Sequence, residues 1–77
     1  MMTIEIDRSY EDDIAYFIAF CIEIYKNAHK LSGEETSSIF SDHDIMSYLA
    51  ENYDILHTQS PAWILAEIET TIKESSK

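Results

Sequence analysis

Residues 14–26 read Ile14-Ala15-Tyr16-Phe17-Ile18-Ala19-Phe20-Cys21-Ile22-Glu23-Ile24-Tyr25-Lys26. The period is helical rather than alternating. Ile14, Phe17, Ile18, Cys21, Ile22, Tyr25 and Ala28 share one broad face, and Glu23, Lys26, Asn27 and Lys30 lie opposite. Ser9 offers a cap, and Glu11 and Asp12 place negative charge in the first turn. Lys26 and Lys30 suit the negative end of the dipole. The spacing therefore predicts a helix from Tyr10 to about Lys30. Tyr16 and Phe20 stand one turn apart near the polar sector, away from the main stripe. A helix this apolar is either surrounded on most sides or lends a face to another chain. The segments that follow are short, so Tyr16 and Phe20 become candidate partner-binding residues.

Downstream, Leu31-Ser32-Gly33-Glu34-Glu35 stops this helix and starts another. Ser32 and Glu35 have the spacing of a capping box, in which each side chain satisfies a backbone N–H of the other. A short second helix follows, with Ile39 and Phe40 as its apolar payload. Ser41-Asp42-His43-Asp44 restarts the chain, with Ser41 or Asp42 as the cap of a third helix over about 43–57. That helix buries Ile45, Tyr48, Leu49, Tyr53 and Leu56. Thr58-Gln59 turns the chain. Ser60-Pro61 is a cap followed by proline at the first helical position, where the missing N–H is harmless. The last helix aligns Ile64, Leu65, Ile68 and Ile72 and frays over Glu74-Ser75-Ser76-Lys77. Upstream, Thr3-Ile4-Glu5-Ile6 alternates too briefly to stand as a strand alone, so residues 1–8 read as an extended arm. The expected fold is all-α: a compact bundle of about four helices over residues 9–77, with a short N-terminal extended arm over 1–8. Its core is Phe17, Ile18, Cys21, Ile22, Tyr25, Phe40, Leu49, Leu56, Ile64, Leu65 and Ile68.

Composition narrows the functional classes. With 45% hydrophobic and 26% charged residues, the 77-residue chain has the make-up of one folded domain. A core that small is marginal, so a partner can add much to stability. Fifteen acids against five bases give a net charge of −10, which repels phosphate backbones and anionic lipid heads. Nucleic acid and membrane are poor partners for such a surface. The longest apolar run, Ile14 to Ile22, falls well short of the about 20 residues of a membrane span. Met1 to Arg8 lacks the charged-then-apolar order of a signal peptide. Cys21 is the one cysteine, so no intrachain disulfide forms, and a reducing cytoplasmic location is expected.

No reaction centre assembles from the remaining residues. A Cys–His pair can activate a thiolate, but Cys21 lies on the apolar face between Phe17 and Tyr25, where burial makes it inert. Asp42-His43-Asp44 point in different directions at a helix start, and no second cluster completes a metal shell. The second and third helices have the outline of a helix-turn-helix. The would-be recognition helix nevertheless carries Asp44, Glu51 and Asp54 and no lysine or arginine. No catalytic residue, cofactor or metal is expected. His57, at a helix end, suits both bonding to free carbonyls and partner contact with Thr58 and Gln59. Asn52, on the apolar side of its helix, is expected to bond backbone at a helix junction.

Three stretches carry a resemblance. They are Phe17-Ile18-Ala19-Phe20-Cys21-Ile22-Glu23 with Tyr25-Lys26, then Leu31-Ser32-Gly33-Glu34-Glu35, then Ile45 with Tyr48-Leu49, Tyr53-Asp54 and Leu56-His57-Thr58-Gln59. Over about residues 12–72 the chain resembles a family of short bacterial proteins catalogued only as a domain of unknown function. The resemblance implies a helical cytoplasmic protein. It also implies, through members encoded beside an ADP-ribosyltransferase-like protein, an antitoxin- or immunity-like partner role. It supplies no catalytic residues. The expected function is thus a small acidic protein-interaction module, binding another protein or a second copy. The alternative is a small-ligand or regulatory module using Tyr53, His57 and Gln59 as a corner pocket.

Overall fold

A computed structural model describes the backbone of residues 2–75 and the side chains of residues 10–75. Five helices follow one another: α1 Met2–His29, α2 Gly33–Asp42, α3 Ile45–Glu51, α4 Tyr53–Leu56 and α5 Pro61–Ser75. No strand occurs among the described residues. The all-α expectation holds, with five helices in place of about four.

The 28 residues of α1 give a rod about 42 Å long. It accounts for the long dimension of the molecule, which measures 44 × 23 × 22 Å. Helices α2, α3 and α5 all pack against α1. The arm expected at residues 1–8 is not extended, because α1 begins at Met2. An isolated alternating segment has no strand to pair with, whereas a helix satisfies its own backbone as it lengthens. Ser9 is consequently inside the helix rather than its cap, and Met1 lies outside the described residues.

At its C-terminal end α1 stops on Lys30, which takes the left-handed conformation at φ 55°. The Leu31 N–H then donates to the Lys26 carbonyl at 2.9 Å, the long bond of a Schellman cap. The capping box forms as the spacing predicts. Glu35 N–H donates to Ser32 Oγ at 3.0 Å, and Ser32 N–H donates to Glu35 Oε1 at 2.9 Å.

The third helix differs from expectation at its start and in the middle. Ser41 and Asp42 finish α2, and the chain turns on Asp44, left-handed at φ 57°, with no side-chain capping bond. Running α2 on to Asp42 and reversing there lets Phe40 and Ile45 both enter the core. The helix is then divided at Asn52. There the side-chain amide donates to the Tyr48 carbonyl at 2.8 Å, beside the backbone bond from Asn52 N–H to the same oxygen at 3.1 Å. A short amide competing for a helix carbonyl is a physical cause of such a break, and it is the junction role expected of Asn52. The α5 start is as read: Trp63 N–H donates to Ser60 Oγ at 3.2 Å, ahead of Pro61 at the first position.

Phe17, Cys21, Tyr25, Phe40, Ile45, Leu49, Leu56, Ile64 and Ile68 are buried. Ile18, Ile22 and Leu65, expected inside, are partly buried and packed against this cluster. Thr36 is fully buried, a position the apolar pattern does not mark. Its hydroxyl is satisfied by the Ser32 carbonyl one turn back, at 3.0 Å.

Candidate functional site

The candidate residues fall in two places. Phe17, Cys21 and Tyr25 turn one side of α1 into the core, and Tyr53 packs there too, its ring edge-on to Phe17 with centroids 5.5 Å apart. Tyr16 and Phe20 occupy the other side. Tyr16 is 78% exposed and Phe20 46%. Asp12, Ala15, Ala19 and Glu23, at spacings of three and four, stay exposed beside them. Asp12, Ala15, Tyr16 and Ala19 line an open concavity of about 440 Å³. The concavity is open, lying along the surface of α1. Sequence reading found the two rings but missed Ala15, Ala19 and Asp12. Their signal, small residues four apart flanked by a ring and an acid, was present in the helical wheel.

The Tyr53 corner is built differently. Tyr53 meets Tyr10 edge-on at 5.8 Å and stacks on His57 at 4.4 Å, the two planes 10° apart. Tyr10 OH donates to Asp54 Oδ1 at 3.3 Å, and its phenol is pushed up first by lost hydration and then by that carboxylate. His57 Nδ1 lies 2.7 Å from the Tyr53 carbonyl oxygen. A carbonyl only accepts, so Nδ1 carries the proton and Nε2 is the nitrogen left over. Thr58 Oγ1 donates to the Ile55 carbonyl at 2.8 Å, and Gln59 N–H reaches the Leu56 carbonyl at 3.0 Å. The Leu56-His57-Thr58-Gln59 element thus closes the end of α4 and turns the chain toward α5. Among the described residues, no hydrogen bond or ring contact joins the Gln59 side chain to Tyr53 or His57, whereas Tyr53 and His57 are brought together by their stack.

Other groups are occupied as well. The Cys21 thiol is fully enclosed, and burial pushes it up to about 12, far from a reactive thiolate at neutral pH. His57 and Cys21 do not touch in the hydrogen-bond or ring contacts of either residue. His43 Nδ1 lies 2.5 Å from Ser75 Oγ, tying the end of α2 to the end of α5. His29 stacks on Tyr25 at 4.2 Å and pairs through Nε2 with Glu69 Oε2 at 2.8 Å, joining α1 to α5. The Tyr25 phenol is pushed up by burial and then by Glu69. Among the described residues, no group of three or more His, Cys, Asp or Glu side chains lies close enough to hold a metal ion. No described helix is long and apolar enough to cross a membrane.

Against this geometry the comparisons are brief. The family model of DUF3791, a protein of unknown function, matches residues 16–75. The chain belongs to the DUF3791 family. That match takes in Tyr16, Phe20, Tyr53, His57 and Gln59, and leaves out the first half of α1. No curated protein and no solved structure matches the chain. Within this DUF3791 chain, the other exposed large apolar side chains among the described residues are scattered: Tyr10 on α1, Met46 on α3, Ile55 on α4 and Trp63 on α5. Single exposed apolar residues are ordinary on a small protein. Two aromatic rings one turn apart beside an alanine-lined concavity are less so.

Proposed function

We propose that this DUF3791 protein is a protein-interaction module that docks another protein on the outward face of α1, with Tyr16 and Phe20 as anchors. The observation that supports the reading is the exposure of those two rings on a helix whose other side is fully committed to the core. Aromatic anchors edged by charge are typical of binding hot spots, and enclosing such a ring removes about 150–250 Å² from water. The module works by occupancy and not by catalysis, in the cytoplasm, as a lone enclosed thiol suits. An antitoxin- or immunity-like role, in which it covers a neighbouring enzyme, is the form that the family resemblance favours.

The reading with a small ligand at Tyr53, His57 and Gln59 draws less support. The ring faces of Tyr53 and His57 are spent on each other, and His57 Nδ1 on a backbone carbonyl. Site-specific photocrosslinking in the native host separates the two. Benzoylphenylalanine in place of Tyr16 should yield one dominant crosslinked protein. The same group in place of Trp63 should yield none. Crosslinking from both positions alike, or from neither, would remove the basis of the docking face.

A further inference from the structure

Given the interaction reading above, we infer that the occupant of the α1 face is a basic amphipathic helix from a different protein, laid lengthwise over Ala15 and Ala19. Three observations set its chemistry. The first is shape. Asp12 to Glu23 spans three turns of a single helix, about 17 Å, along which Ala15 and Ala19 lie exposed to one side of the Tyr16 and Phe20 rings, with Asp12 and Glu23 at the two ends. Exposed methyl groups let a second helix approach at the close end of ordinary helix–helix distances, with one of its own apolar side chains filling the concavity. A broad globular face would touch the Tyr16 and Phe20 tips and leave the concavity empty.

The second observation is charge. Glu11, Asp12 and Asp13 are exposed at one end of the face. Glu23, at the other end, holds Lys26 at 3.2 Å, so among the described side chains the cation beside Glu23 is already paired. Between Lys30 and Lys73 the chain carries no lysine or arginine at all. The occupant must therefore bring the positive charge, with a lysine or arginine over Asp12 when its apolar side chain sits between Ala15 and Ala19. The third observation disfavours a second copy as occupant: each chain carries a net charge of −10, and two such chains brought together repel.

Ala15, Ala19 and Asp12 become specificity residues in this account: the alanines select a helix by closeness, and the acid selects its charge. The test uses the full chain with two synthetic helical peptides, one with leucines on one face and lysines on the other, and one with glutamates in place of the lysines. Titration followed by backbone amide shifts should show the lysine peptide moving the signals of Asp12, Ala15, Tyr16, Ala19 and Phe20, and the glutamate peptide moving none. Ala15→Gln with Ala19→Gln keeps good helix formers at exposed positions and fills the concavity. It should weaken the lysine peptide by about tenfold or more. Asp12→Asn should weaken it less and flatten its salt dependence. If the Gln pair binds as well as the parent while Tyr16→Ser with Phe20→Ser does not, the docking face stands and the lengthwise helix is wrong. Shifts centred elsewhere, no binding of the lysine peptide, equal binding of both peptides, or dimers in sedimentation that the Gln pair dissolves would each overturn the inference.

Discussion

The two sides of α1 are made of the same kinds of residue and end in opposite environments. Phe17, Cys21 and Tyr25 are enclosed by α2, α3, α5 and the Tyr53 ring. Ala15, Tyr16, Ala19 and Phe20, interleaved with them in sequence, face outward. Hydrophobicity alone does not tell these sets apart. What separates them is the supply of apolar surface in the rest of a short chain. The later helices are short, and their stripes, Phe40, Leu49, Leu56, Ile64 and Ile68, are used up on a single side of α1. The lesson is one of covering area: a small domain can enclose one face of its longest helix and leaves a second apolar face exposed.

The most severe way to probe that contrast is truncation on each side. Phe17→Ala should cost about 3–5 kcal/mol, and Leu49→Ala about 2–5 kcal/mol, against a total near the low end of the usual 5–15 kcal/mol. Chemical denaturation measures both, and a Phe17→Ala protein as stable as the parent would mean that the inward face has been misassigned. Next comes the alkaline limb. The Cys21 thiol sits near 9 when unfolded and about 12 when enclosed, so folding favours its protonated form. The stability this represents is complete below pH about 9 and drains away as pH rises toward 12, by a few kcal/mol. Cys21→Ala should flatten that limb, and native Cys21 should alkylate only at the rate of unfolding.

Smaller effects belong to the ends of the helices that build the two faces. Ser32→Ala removes one half of the capping box and should lower stability by about 1 kcal/mol. Lys30→Gly should raise it by about 1 kcal/mol, because glycine takes the left-handed conformation without the side-chain clash. A Lys30→Gly protein less stable than the parent would show that the lysine side chain makes a contact worth more than the backbone strain.

Much of this architecture was legible in the residues. The inward stripe of α1, the Ser32–Glu35 box and the Ser60-Pro61 start each rest on local chemistry that needs no tertiary context. The backbone bond of Asn52 was legible, but its splitting of one long helix into two and the reversal at Asp44 were not, for a physical reason. Both depend on where Phe40, Ile45 and Tyr53 must land in a core that exists only once α1 is present. Residues 1–8 misled in the opposite direction: their alternation suggested extension, yet helix propagation from Tyr10 backward needs no partner. Of the candidate site, the rings at 16 and 20 were readable from the wheel. At Tyr53, His57 and Gln59 the sequence showed proximity along the chain but not the backbone carbonyls that His57 and Thr58 cap.

The double variant Tyr16→Ser with Phe20→Ser, unfolded by guanidinium beside the parent, tests the central claim most directly. If the outward face of α1 is reserved for another molecule, the free-energy loss should stay within about 1 kcal/mol, in the range of exposed substitutions. A loss of about 3 kcal/mol or more, comparable to Phe17→Ala, would place those rings in the core and contradict the account.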